Sequence, residues 1–181
     1  KKMRIIAGKY GGRILKLTGT EKFHPMGERI RNAIFNKLGQ KVIGTQVLDA
    51  FAGTGAVGIE ALSRGAQSCL FIEKNRLTVQ TLRRNLDMLG VDGSQVIQAT
   101  VLQFLQTSQT DPQTFDLIFA DPPYRDLQNS SVKALITRLK PDGILVLSNP
   151  KAVPTLTCDG LQPIDERTYA DAKIIFYRRA K

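Results

Sequence analysis

Between residues 46 and 148 the chain carries five short, continuously apolar runs, QVLDAF, SCLFIE, QVIQA, FDLIFAD and GILVLS. Four segments with helical patterning lie between them: AVGIEALSR, LTVQTLRRNLDMLG, VLQFLQ and SVKALITRL. Runs without polar alternation read as strands buried on both faces. Their alternation with helices predicts a parallel sheet covered on each side, an α/β, Rossmann-like architecture. Gly65 and Gly90 follow the first two helical segments, where a terminating glycine belongs. The tail, LQPIDERTY and then AKIIFYRR, offers one or two further strands. No linker-like segment follows residue 45, so 181 residues predict one domain with a small appendage.

Ligands of such sheets bind beyond the carboxyl ends of the strands. The first strand runs into DAFAGTGAVG, where Gly53, Gly55 and Gly58 satisfy GxGxxG and Glu73 ends the next strand. That pattern suits a nucleoside: glycines admit the backbone to the ligand, and the acid takes ribose hydroxyls. Asp49 opposes a dinucleotide. A carboxylate at the mouth of the loop repels a diphosphate on the helix N-terminus, but it attracts a nucleoside bearing positive charge. S-adenosylmethionine, with an ammonium and a sulfonium, is the expected cofactor. The lone histidine, His24, lies far from this region in sequence, and hydride-transfer machinery is not evident.

The fourth strand ends in Asp121-Pro122-Pro123-Tyr124. Consecutive prolines remove two backbone donors and stiffen the chain, leaving carbonyl oxygens, one carboxylate and an aromatic ring. Such a ledge suits an exocyclic amino group. Asp121 and the Pro122 carbonyl accept its N–H bonds, and Tyr124 stacks on the base. Methyl displacement governed by positioning needs neither a strong base nor a metal.

The net charge of +10 is concentrated at one end. Residues 1–41 hold eleven Lys or Arg against Glu21 and Glu28, while residues 42–181 hold fifteen basic and fourteen acidic residues. The expectation is a basic N-terminal arm, 1–41, preceding a catalytic domain, 42–181. Within the arm, MRIIAG and RILKL flank a Gly-containing hairpin signal, and GERIRNAIFNKLG reads as a helix with Ile30, Ala33, Ile34 and Leu38 on its apolar side. Arg29, Arg31 and Lys37 then fall off that stripe, free for solvent or phosphate. Arg4, Lys9, Arg13, Arg29 and Arg31 are the candidate nucleic-acid contacts.

VLDAFAGTGAVGIEALSRGA, FIEKN and FDLIFADPPY resemble the motifs of class I S-adenosylmethionine-dependent amino-methyltransferases. MRIIAGKYGGRILKL followed by HPMGERIRNAIFNKL is similar to the arm of the RsmD family of 16S ribosomal RNA (guanine-N2) methyltransferases. The resemblance runs from about residue 3 to the closing KIIFYRR. It implies a seven-stranded, mostly parallel sheet with the last strand antiparallel, and methylation of a guanine N2 in small-subunit RNA. It places Asp49, Phe51, Gly53 and Gly55 against the methionine part of the cofactor and Glu73 on its ribose. Lys74, Thr100 and Val101 complete the cofactor set, and Asp121, Pro122 and Tyr124 handle the guanine. Two departures stand out: His24-Pro25-Met26 replaces the family's Arg-Pro-Thr, and Thr100 stands where an acid commonly meets the adenine amine.

Other readings share parts of this pattern. A DNA amino-methyltransferase acting on adenine N6 or cytosine N4 uses the same ledge but needs a target-recognition region. A protein glutamine methyltransferase favours Asn at position 121 and has no use for a basic arm. A ribosome-assembly factor that binds RNA without catalysis needs no intact acid set. Cys69 and Cys158 form no metal-ligand pattern, so no metal is expected. With no apolar run long enough to span a bilayer and no leader pattern, the expectation is a cytoplasmic, monomeric protein acting on 16S RNA or an assembling small subunit.

Overall fold

A computed structural model describes residues 2–18, 26–107 and 111–181. The arm hairpin is brief: β1 (Met3–Arg4) pairs antiparallel with β2 (Ile14–Leu15). Helix α1 (Glu28–Leu38) follows and stops at Gly39. The sheet is then laid down as β3 (Gln46–Asp49), β4 (Ser68–Glu73), β5 (Ser94–Gln98), β6 (Phe115–Ala120), β7 (Leu139–Pro150), β8 (Leu161–Tyr169) and β9 (Ala172–Arg179). Its helices are α2 (Ala56–Ser63), α3 (Arg76–Leu89), α4 (Val101–Gln106) and α5 (Asn129–Ala134).

The seven strands run in the order β5-β4-β3-β6-β7-β9-β8. Pairing is parallel from β5 to β7, whereas β9 is antiparallel to both neighbours. The last strand in sequence is thus the reversed one, and both tail segments are strands. Alternation along the strands supplies two cores. Val47, Phe71, Phe119 and Val146 face the arm with α1, α2 and α3, while Leu48, Ile72, Ile118 and Leu147 face α4 and α5. Each such side chain contributes about 1.5–3 kcal/mol by leaving water.

The segment expected as one helix, SVKALITRL, divides instead. α5 covers its first part, a 3-10 turn covers Leu135–Arg138, and β7 begins at Leu139. β7 pairs Leu139 with Phe115 but Ile144 with Leu117, so a bulge absorbs the intervening residues, with Asp142 at φ 62°.

The arm is stitched to the sheet's helices by three buried polar side chains. Glu60 of α2 accepts the N–H groups of Ile6 at 2.9 Å and Ala7 at 3.2 Å. Ser63 accepts from the Tyr10 N–H at 2.9 Å and donates to the Ala7 carbonyl. Asn85 of α3 accepts from the Lys16 N–H at 2.8 Å and donates to the Lys16 carbonyl at 3.0 Å. Gly8 passes so close to α2 that a Cβ there would lie 1.9 Å from the Ser63 carbonyl oxygen, and its φ is +84°. Met3, Ile5, Tyr10 and Leu15 share the core of Val47 and Phe71.

Candidate active site

The chain winds from β3 through β4 to β5 in one direction, then crosses back to β6 and β7. β3 and β6 are therefore neighbours at the point where strand order reverses, the crevice where such sheets bind ligands. A cavity of about 920 Å³ opens there. Asp49 ends β3, Glu73 ends β4 and Asp121 follows β6, and all three line it.

Asp49 is buried, and its Oδ2 accepts the Gly58 N–H at 2.9 Å. Gly58 lies in the first turn of α2, so the carboxylate fills the anion site that a diphosphate would need. Burial raises Asp49 to about 7; the Gly58 N–H opposes this, and Asp121 and Glu73 add to it. Glu73 spans the loop, accepting the Gly53 N–H at 2.9 Å and the Asn75 N–H at 2.8 Å. Each of its oxygens keeps acceptor capacity. Burial raises Asp121 to about 6, opposed by the Ser148 hydroxyl. None of the three pairs with a described lysine or arginine. With Asp171, four carboxylates line the cavity against two cations, Lys74 and Arg125, neither of which pairs with Asp49, Glu73 or Asp121, and such a wall fits a cationic ligand.

The remaining expected cofactor positions fare differently. Phe51, Gly53, Lys74, Thr100 and Val101 line the cavity, and a Cβ on Gly53 would meet nothing within 4 Å. Gly55 is not among the residues that line it. With φ +86°, it leaves room for Leu82, whose Cδ1 would lie 2.2 Å from an added Cβ. Gly58 likewise makes way for Phe71. Within the motif, Gly53 borders the open cavity while Gly55 and Gly58 serve helix–sheet packing. Thr100 caps α4: its hydroxyl accepts from the Gln103 N–H at 3.1 Å, and Gln103 returns a bond to the Thr100 N–H. Thr-x-x-Gln before an apolar run is a capping box legible in the sequence but not read there.

On the β6 side, Asp121, Pro122, Pro123 and Tyr124 all line the cavity. Tyr124 is 39% exposed, and its hydroxyl lies 3.1 Å from that of Ser148. Ser148, near the end of β7, was missed; the signal was a polar residue closing the strand next to β6. Met26, Gly27 and Ile30 bring the arm to the same cavity. His24 and Pro25 lie outside the described residues.

The arm cations need one correction. Arg31 is fully buried, because the buried stripe of α1 is Arg31, Ile34, Phe35 and Leu38, spaced i, i+3, i+4 and i+7. Its Nη2 donates to the Arg4 carbonyl at 2.8 Å, and burial lowers its pKa against the pull of Glu60 and Glu28. Arg31 cannot reach phosphate there. Arg4, Lys9, Arg13 and Arg29 are exposed.

The sheet order, reversed last strand and acid-walled cavity define a class I S-adenosylmethionine-dependent methyltransferase. The family profile described as conserved hypothetical protein 95 matches residues 3–178, and the chain belongs to this family, the RsmD family. It is 34% identical over 181 residues to ribosomal RNA small subunit methyltransferase D of Haemophilus influenzae, covering 97% of this chain and 92% of that one. The enzyme of the same name from Escherichia coli K12 is 37% identical over 123 residues, 68% of this chain and 61% of that one. Among solved structures, yhhF of Escherichia coli superposes with a TM-score of 0.89 at 28% identity, covering 99% of each chain. The 16S rRNA N2 G1207 methyltransferase of Thermus thermophilus, solved with AdoMet and guanosine, shares the fold at TM-score 0.74 and 20% identity, over 100% of this chain and 50% of that one.

Proposed function

We propose that this protein transfers a methyl group from S-adenosylmethionine to the exocyclic N2 of a guanine in small-subunit ribosomal RNA. The observation that carries this reading is the convergence of Asp49, Glu73 and the Asp121–Tyr124 ledge on one cavity at the strand-order reversal. Family membership and the name of the Haemophilus influenzae relative support the RNA substrate.

In this reading Asp49 faces the cofactor's cationic amino-acid end and Glu73 its ribose. Ile72, Ala99 and Val101 form an apolar slot beside Thr100. The cofactor supplies an electrophilic methyl. Asp121 is ionised above pH of about 6 and accepts an N–H of the guanine amine, with the Pro122 carbonyl as second acceptor. That orients the nitrogen lone pair and leaves a carboxylate beside the nitrogen as it gains and then sheds positive charge. Tyr124, tethered to Ser148, presents a fixed face to the base.

Incubation with labelled S-adenosylmethionine and total RNA, DNA and protein tests the reading. Label is expected in small-subunit RNA as N2-methylguanosine after nuclease digestion. Label confined to DNA or protein would overturn it.

A further inference from the structure

The cations of the N-terminal half separate by what they touch. Arg4 pairs with Glu28 at 3.0 Å, Lys37 pairs with Asp165 at 3.4 Å, and Arg31 is buried. Lys9, Arg13 and Lys16 are exposed, and none pairs with a described carboxylate.

That second group continues beyond the arm onto α3. Arg13 donates to the Met88 carbonyl at 3.1 Å, the Lys16 backbone is clasped by Asn85, and Thr18 meets Thr81 at 3.2 Å. Positions 81, 85 and 88 share one helix face, so the arm runs antiparallel to α3 for two turns. Arg84 lies three residues from Thr81 and four from Met88, bordering the arm. Arg76 and Arg83 lie about 100° further round the helix, beyond the row of Gln80 and Asp87 and toward β5. All three arginines are exposed without a described carboxylate partner, and Arg83 donates to the Val96 carbonyl at 3.3 Å. Against them α3 carries one acid, Asp87. The arrangement has a direction: Arg13 stands at the far end of α3, while Thr78 near its start and Lys74 just before it line the cavity. From Met88 to Thr78 the helix rises about 15 Å.

We propose that the hairpin and α3 together form a phosphate track, with Arg13, Lys16, Arg83 and Arg84 as its contacts, leading RNA to the cavity mouth. The proposal rests on the RNA reading above. Exposed cations that pair with no described carboxylate, set along the hairpin and one helix whose single acid is Asp87, match the repeating charge of a nucleic-acid backbone. The RNA contact is then shared between the arm and the catalytic domain.

The test is binding of an unmodified 16S rRNA transcript at several salt concentrations between about 50 and 200 mM, the range over which phosphate contacts show themselves. Wild type is compared with Arg83→Gln/Arg84→Gln, with Arg13→Gln/Lys16→Gln, and with a charge-matched control, Lys133→Gln/Lys181→Gln. Each track variant is expected to show a salt slope shallower by about 1.4–1.8, since each phosphate contact contributes about 0.7–0.9. RNA affinity at low salt should fall, with S-adenosylmethionine affinity unchanged. The control should keep the wild-type slope. If wild type binds and methylates RNA while the Arg83/Arg84 variant keeps its slope, the track is overturned and the function stands. If wild type neither binds nor methylates RNA, both fall.

Discussion

The hydroxyl of Tyr124 lies 3.1 Å from that of Ser148, joining the ledge after β6 to the end of β7. The contact fixes the ring that, in the proposed function, meets the base. Losing one neutral hydrogen bond costs about 0.5–1.5 kcal/mol, so Ser148→Ala and Tyr124→Phe should each lower kcat/KM for RNA by roughly 2- to 13-fold. Combined, they should cost no more than Ser148→Ala alone, because Tyr124→Phe removes only the shared bond, whereas Ser148→Ala also removes the hydroxyl that opposes the raised pKa of Asp121. Tyr124→Ala, which removes the ring, should cost more. Steady-state methylation of the four variants gives the answer, and additive losses would separate the two hydroxyls.

Asp121→Ala should remove most methyl transfer, about 10²- to 10³-fold, the scale of a lost transition-state acceptor. Cofactor affinity should stay within a few fold, since the proposed partner of Asp121 is the base. Calorimetry with S-adenosylmethionine alongside single-turnover methylation separates the two quantities. Near wild-type turnover would refute the positioning role.

Asp49, raised to about 7, links cofactor binding to pH. A positively charged ligand favours the carboxylate, so binding near pH 6 should release a proton. Affinity should rise as pH climbs through about 7. Stability of the free protein runs the other way: a carboxyl group with a raised pKa contributes fully below the ordinary value near 4, and that contribution fades through about 7 for Asp49 and about 6 for Asp121. Titration calorimetry in buffers of different ionisation enthalpy reads the proton, and Asp49→Asn should abolish most of its release.

Glu60 is fully buried, pairs with Arg64 at 2.8 Å and accepts two arm N–H groups. Glu60→Ala strands those donors and Arg64, and should destabilise by about 3–5 kcal/mol. Hydrogen exchange should show Ile6 and Ala7 losing protection first. A melting temperature equal to wild type would show that Glu60 contributes nothing to holding the arm.

Much of the site was legible because its residues sit at strand ends, where apolar runs stop abruptly. Glu73 and Asp121 could be placed from run length, and Asp49 from its position at the mouth of the glycine loop. Gly55 could not be assigned, since GxGxxG does not distinguish a glycine that admits a ligand from one that admits Leu82. Arg31 was misread for a related reason. Ile30, Ile34 and Leu38 define a stripe, but Phe35 rotates the buried face toward Arg31, which finds the Arg4 carbonyl there. Ser148 depended on knowing that β7 lies beside β6, information carried by sheet order.

The clasp of Asn85 on the Lys16 backbone spans 69 residues of chain. During vectorial synthesis the hairpin leaves the ribosome long before the helix that holds it. Its two-residue strands cannot stand alone until α2 and α3 have emerged. Folding of the first segment is therefore gated by the middle of the chain. A fragment ending ahead of Glu60 would carry the basic arm as an unanchored polycation.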